Sequence, residues 1–296
     1  MKASHRFRMW RSILRKRKVN RSKAGSFVMF TFLIICAAFT ALPLIYTVVT
    51  AFKPLDELWL FPPSLVTVNN PTVKNFIDMF VLMADSTVPF SRYIFNTVFI
   101  TFAGMLLHVI FATMCAYPLA KKQFPGKNLF FGLVTLALMF NTYVTSMPNY
   151  LTMANLGWVD TYLAVIIPAI GAPIGLYLMR QFMEQIPDAV LEAARVDGAN
   201  EWQTFWRVVI PQVKPAWLTI MIFSFNGLWN LQQSNYIYSE ELKTLPFALG
   251  QIANGGIARA GVSAAVTMLL LSVPVLFFVA TQSNIIETMN SSGIKE

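Results

Sequence analysis

The sequence predicts an all-α polytopic membrane protein with six transmembrane helices and one structured cytoplasmic loop. Four observations carry that expectation. Apolar and aromatic residues make up 56% of the 296 residues and charged residues only 12%, about half the charged share of a soluble domain. Mean hydropathy is +0.55, which excludes a disordered chain. Charge-free runs recur at lengths that cover the hydrocarbon core, about 20 helical residues per crossing. Lys and Arg are also distributed unevenly between alternate connections.

Residues 1–26 hold ten of the 23 basic residues and no acid, so they read as a basic cytoplasmic tail. Residues 27–52 are uncharged and form the first predicted span. This run is too long for a cleaved signal peptide, and no small-residue cleavage site follows it. The connection 53–92 is rich in Pro and is expected to cap the bundle or meet an external partner, with one short amphipathic helix at 75–84 carrying Phe76, Met79, Phe80 and Met83. The second span is predicted at 93–119. The third is predicted at 129–147, its far end broken by Pro148, Asn149 and Gly157. The remaining spans are expected at 160–180, 216–238 and 262–282, and residues 287–296 form a second cytoplasmic tail. Together, 27–286 make one transmembrane domain.

Orientation follows from the basic residues. With six crossings, 18 of them fall on the side of the termini and five (Lys53, Lys74, Arg92, Lys243 and Arg259) on the other, while the acids split seven and seven. Both termini are therefore expected in the cytoplasm. Cys36 and Cys115 lie in apolar runs and form neither a metal pattern nor a disulfide framework. The positive charge is local to one tail, which fits an anionic lipid surface rather than nucleic acid.

The loop 185–211 is too patterned to be a linker. Pro187 suits a first helical position, Asp188 the first turn, and 189–194 have strong helix propensity. Gly198 can end that helix at positive φ. Asn200 and Gln203 form a capping-box pair for a second short helix, which Pro211 is expected to stop. Trp202, Phe205 and Trp206 offer apolar anchors. Such an elbow is either an interfacial amphipathic helix or a rigid projection that docks into a partner's groove.

Glu192-Ala193-Ala194, then Gly198, then Val208-Val209-Ile210-Pro211 resembles the cytoplasmic signature of membrane subunits in binding-protein-dependent ABC importers. The family pattern is Glu-Ala-Ala, three residues, Gly, nine residues, then Ile-x-Leu-Pro, and this chain departs from it only in the conservative Val208 and Ile210. Asp197-Gly198-Ala199 and Phe205 match the extended form. Trp229-Asn230 and Lys295 are similar to the carbohydrate-type branch, in particular the smaller maltose-importer membrane subunit. The ending Ser292-Gly293-Ile294-Lys295-Glu296 departs from that subclass.

The resemblance implies a non-catalytic subunit in a bacterial plasma membrane. It implies pairing with a second homologous permease, two ATPase subunits that carry ATP and Mg, and an extracytoplasmic solute-binding protein. It implies an ATPase-coupling surface made of Glu192, Ala193, Ala194, Arg195, Asp197, Gly198, Ala199, Phe205 and Pro211. Glu192 is the leading residue, because a carboxylate there can pair with a basic group on the partner.

Solute contact is expected where polar groups interrupt the fifth span, at Asn226, Trp229, Asn230 and Gln233, since amides bind hydroxyls and indole faces cover C–H patches. Inter-helix bonding is the alternative use of those groups. Gln251, Asn254, Gly255 and Gly256 form a candidate contact with the binding protein. His108, inside an apolar run, is expected to bond between helices.

No Gly-rich phosphate loop, metal-ligand cluster or Ser/His/Asp triad is present in the sequence. No cofactor is expected in the chain itself. The alternatives are an importer permease for a non-sugar solute and, from a different class, an ion-coupled secondary transporter. Apart from Asp160 at the very edge of the fourth, the predicted spans carry no Asp or Glu for a proton relay, and only the first two readings need the elbow.

Overall fold

A computed structural model describes residues 23–61, 64–84, 87–231, 236–254, 256 and 259–292, apart from the side chains of residues 23, 142 and 283–292. The architecture is all-α. In order, the helices are α1 (Lys23–Ala51), α2 (Leu55–Leu58), α3 (Lys74–Ala84), α4 (Phe90–Lys121), α5 (Lys127–Ala137), α6 (Thr142–Asn155), α7 (Leu163–Ile170), α8 (Pro173–Glu184), α9 (Asp188–Val196), α10 (Glu201–Gln212), α11 (Lys214–Trp229), α12 (Leu245–Ala253) and α13 (Ala260–Ser292).

Among the described residues, four segments are long and apolar enough to cross a membrane: α1, α4, α7–α8 and α13. A fifth is counted if α10 and α11, bent by 78° at Val213, act as one. Helix α4 is the axis of the bundle. It packs against α7, α8 and α11, and 39% of its apolar window is buried, against none for α1. Helix α13 packs on α1, α11, α12 and α3.

The first, second and fourth predicted runs each coincide, to within a few residues, with a helical segment long and apolar enough to cross a membrane. The third does not. Residues 129–147 are not one helix: α5 ends at Ala137, and Asn141 starts α6 by accepting a hydrogen bond from the Tyr143 N–H at 3.0 Å. This local cap competes with helix continuation. Pro148 sits inside α6 rather than ending it.

The predicted fifth span, 216–238, stops at Trp229. Beyond it the chain is held by distant partners, with Thr244 Oγ1 donating to Leu231 O at 2.8 Å and Asp160 accepting from the Tyr238 and Ser239 N–H groups, each at 2.9 Å. The sixth helix is longer than predicted, 33 residues.

The short amphipathic helix is present as α3. Met79 and Met83 are buried, but so is Asn75, while Phe80 is exposed and rests edge-on against Phe90. Asn75 Nδ2 donates to the carbonyls of Ala51 and Lys53 at 2.9 and 2.8 Å, tying α3 to the end of α1.

Candidate functional site

The elbow follows α8 directly. Helix α9 begins after Pro187, carries Asp188 in its first turn, and ends before Gly198, whose φ is +84°. Only a residue tolerant of left-handed backbone turns the chain there without strain. Asn200 then caps α10 with both halves of a capping box in place: Asn200 Oδ1 accepts from Gln203 N at 2.8 Å, and Gln203 Oε1 accepts from Asn200 N at 3.0 Å.

Residues Thr204–Val209 are wound as a π-helix, with Ile210 N–H reaching back to Phe205 O. Pro211 therefore does not stop the helix. A wider turn precedes it, the missing N–H is accommodated, and the break comes at Val213.

The elbow is rooted in the bundle. Leu191, Phe205, Val209 and Val213 bury their side chains with Ala112, Ala116 and Tyr117 of α4 and with Met179 and Met183 of α8. Around this apolar root lies a ring of charge. Lys121 Nζ meets Asp188 Oδ1 at 2.8 Å and also donates to Ile186 O. Glu201 accepts from Lys122, from Arg195 at 3.3 Å and from the Tyr117 hydroxyl at 3.0 Å. The hydrogen bond from Lys122 holds the Glu201 carboxyl below its ordinary value, with burial opposing and Tyr117 and Arg195 assisting. Lys121 does the same for Asp188. Both carboxylates are thus ionised and fastened at neutral pH.

The outward face of α9 is different in character. Ala189, Glu192, Ala193 and Val196 lie at i, i+3, i+4 and i+7 and are exposed, Val196 to 87%. A small, nearly flat surface with one carboxylate and one apolar knob suits docking into a groove.

At the opposite end of α4 a second set of polar contacts gathers. Asn96, fully buried, donates to Glu241 O and Lys243 O, both at 2.8 Å, and accepts from the Tyr162 hydroxyl at 2.7 Å. Asp160 has φ +61° and accepts from the Tyr238 and Ser239 N–H groups and from the Ser239 hydroxyl, while its own N–H donates to Tyr236 O at 2.7 Å. Those bonds from Ser239 hold the Asp160 carboxyl below the usual range. An open cavity of about 560 Å³ lies beside this network, lined by Ser91, Arg92, Phe95 and Glu241 among others.

Residues 108–286, more than half of the chain and including the whole elbow, match the family described as binding-protein-dependent transport system inner membrane component. The chain belongs to this family. It is thereby a permease subunit of an ABC importer, non-catalytic itself and working with an ATPase and a solute-binding protein.

Among its relatives is the arabinooligosaccharides transport system permease protein AraQ of Halalkalibacterium halodurans, 28% identical over 90% of this permease and 94% of that protein. Protein LplC of Bacillus subtilis is 33% identical over 65% of this chain and 63% of its own. The diacetylchitobiose uptake system permease protein NgcG of Streptomyces coelicolor is 28% identical over 67% and 64%. In fold, the permease resembles a chain of a bacterial ABC transporter involved in the import of the acidic polysaccharide alginate. The TM-score is 0.75 at 23% identity, covering 89% of this chain and 98% of that one.

The structure sorts the sequence-predicted residues of the permease. Glu192, Ala193, Arg195, Asp197 and Gly198 are exposed on the elbow, whereas Ala194 and Phe205 are buried beneath it and Ala199 is half-buried. Trp229 packs inside the chain. It is buried, its indole N–H donates to Leu270 O at 3.2 Å, and its ring stacks on Phe225. Asn226 is half-buried and bonds Ile222 O, while Asn230 is exposed and bonds Asn226 O. Gln251, Asn254 and Gly256 are exposed past or at the end of α12, Gly256 at φ +80°. Gln233, Gly255, Lys295 and the basic tail up to residue 22 lie outside the described residues.

His108 bonds Ser224 Oγ at 2.6 Å and Ala172 O at 3.1 Å, joining α4 to α11 and to the α7–α8 break. Because a carbonyl only accepts, Nε2 carries the proton and Nδ1 accepts from Ser224. Gly175 makes room for the ring, since a Cβ there would lie 2.2 Å from Nε2. Sequence reasoning missed Lys121, Lys122, Asp160 and Asn96 as organising residues. Each acts on a partner more than 60 positions away, and no local pattern marks such a pair.

Proposed function

We propose that this permease carries a sugar or oligosaccharide across a bacterial plasma membrane, paired with a second, homologous permease and driven by two ATPase subunits. The observation that carries the reading is the elbow: a Gly198 turn between two capped helices, rooted under Phe205 and Val209, presenting Ala189, Glu192, Ala193 and Val196 outward. That face is the ATPase-docking surface. Glu192 supplies a charge-assisted contact, and the small residues allow close approach.

The chain crosses six times with both termini cytoplasmic, α5–α6 making the third crossing as a broken pair. The 18-to-5 division of basic residues supports this orientation, which puts the Asn96 and Asp160 networks on the extracytoplasmic side. There Gln251, Asn254 and the Gly255-Gly256 tip meet the solute-binding protein. Asn226, Asn230 and Gln233 form this subunit's share of the solute path, with Trp229 acting behind them as a packing residue. The names of AraQ and NgcG support an oligosaccharide as cargo. Likeness to the smaller maltose-importer subunit rests on Trp229-Asn230 and Lys295.

A non-sugar cargo is the second reading, favoured by 30% identity to the sn-glycerol-3-phosphate transport system permease protein UgpE of Yersinia enterocolitica. The test is affinity purification of the tagged permease, which is expected to recover an ATPase and a second permease. A thermal-shift panel of oligosaccharides and glycerol phosphates on the matching binding protein then decides the cargo. Recovery of neither partner contradicts the assignment. Reporter fusions after residues 124 and 200 are expected to read cytoplasmic, and those after 70, 153 and 250 extracytoplasmic.

A further inference from the structure

Helix α4 is tied at both of its ends, at one to the elbow and at the other to the segment 240–245 that leads into α12. Its 32 residues run unbroken from Phe90 to Lys121, about 48 Å at 1.5 Å per residue. The crossings packed most closely on it are interrupted, α7–α8 at Gly171-Ala172 and α10–α11 by a 78° bend. Side chains of α4 enter four separate core clusters: Tyr93 in one, Ile100 in the next, Met105 in a third, and Ala112, Ala116 and Tyr117 beneath the elbow.

At the elbow end, Tyr117 and Lys122 hold Glu201, and Lys121 holds Asp188. At the far end the grip falls on residues 240–245. The Tyr93 hydroxyl donates to Glu240 Oε1 at 2.8 Å, Arg92 Nε donates to Glu241 O at 3.2 Å, and Leu245 N–H donates to Thr97 Oγ1 at 2.7 Å. Asn96 closes the set. Its amide nitrogen faces two carbonyls and its amide oxygen faces a hydroxyl, so the orientation of the side chain is determined and every group is used.

We infer that α4 is the rigid strut linking the ATPase-facing elbow to the extracytoplasmic segment 240–245, and that Asn96 is the positioning residue that fastens the far end. The inference rests on the elbow being the docking element, and it adds a physical route. A packed, continuous helix bonded at both ends moves both ends together, whereas a broken crossing absorbs displacement at its break. Asn96 touches neither solute nor ATPase; it acts by holding Glu241 and Lys243, which lead into α12 and the loop beyond it.

The test uses the purified complex of this permease with its second permease and ATPase in lipid nanodiscs. Hydrogen–deuterium exchange is followed with and without trapping by ATP and vanadate. In the wild type, trapping is expected to alter exchange in the elbow, 188–203, and in 239–245 together. In Asn96→Leu, which keeps the size but removes all three hydrogen bonds, the elbow response is retained and the response of 239–245 falls by about fivefold or more. Tyr93→Phe, which removes a single hydroxyl, gives a smaller decrease in the same place and decides alone if Asn96→Leu fails to assemble. A role confined to stability would loosen 239–245 equally in both states and leave the difference on trapping intact. A wild-type difference at 239–245 in both variants overturns the strut. No response at the wild-type elbow places the failure in the docking role instead, and the strut falls with it.

Discussion

The elbow end and the far end of the bundle are fastened by opposite chemistry. At the elbow the polar contacts are between ionised side chains near the surface: Lys121 with Asp188, and Lys122 and Arg195 with Glu201. At the far end they run mostly from a side chain to the main chain of a distant segment: Asn96 to 241 and 243, Asp160 to 238 and 239, Asn75 to 51 and 53. Charge pairs in water are each weak and salt-screened, contributing about 0–1 kcal/mol. Buried amides that satisfy backbone groups, such as Asn96 and Asn75, cost more to lose, because those groups are then left unpaired. The far end therefore holds the shape, and the contacts of the elbow are the more easily broken and remade.

Substitutions separate the two ends. The largest loss of stability is expected from Trp229→Ala in the far half of the bundle, where a buried ring stacked on Phe225 disappears. About 3–5 kcal/mol is typical, read as a lowered Tm and loss of assembled complex. Asn230→Ala beside it is expected to leave assembly intact and reduce labelled-solute uptake; equal assembly defects in the two would erase the distinction between packing and path.

Asp160→Ala is next. It removes the acceptors for two N–H groups and puts Ala, which tolerates left-handed backbone less well than Asp, at φ +61°, costing about 1–3 kcal/mol. Limited proteolysis is expected to find 236–239 newly accessible, with Asp160→Asn intermediate. Unchanged cleavage would show that the clasp does not hold that segment.

Glu201→Gln at the elbow is expected to shift Tm little, in keeping with an exposed cluster, yet to lower transport several-fold, less strongly at high salt, where the wild-type pairs are already screened. The same cluster has a pH signature. The folded-state pKa of Glu201 lies below its ordinary 4.5, so its contribution is complete above that value and is lost as pH falls through the lower folded pKa. Transport by the wild type is then expected to be insensitive to Glu201 from neutral pH down to about 5. A loss near pH 6 would implicate another group.

The comparison also explains what the sequence revealed. The all-α membrane class, the first two spans and the two-helix elbow were legible because their causes are local: apolar run length, Pro187 before the helix, Gly198 after it, and the Asn200–Gln203 box. The third crossing was misread because hydropathy is indifferent to the single cap at Asn141. The fifth was overextended because the groups that end it, Asp160 and Thr244, act from 78 and 13 positions away. Pro211 reads as a stop in the sequence because a π turn preceding a proline leaves no composition signal. The burial of Trp229 is not legible in the sequence, because periodicity alone does not say which side of α11 meets α13. Asn96 looked like one more amide in an apolar helix. Its three partners are brought to it only by the fold.

The claim that the elbow is the mechanical link is tested most directly at Gly198, where φ is +84° and no neighbour lies within 4 Å of a built Cβ. The space is open, so a substitution acts through the backbone. Gly198→Val is expected to cost about 1–3 kcal/mol of strain in the turn, while Gly198→Asn, which tolerates left-handed backbone, costs less. In proteoliposomes containing the whole complex, solute uptake and ATP hydrolysis are measured together. The account predicts that Gly198→Val inserts normally, binds the ATPase weakly and loses solute-stimulated ATP hydrolysis and uptake, with Gly198→Asn close to wild type. Wild-type coupling in Gly198→Val would contradict it.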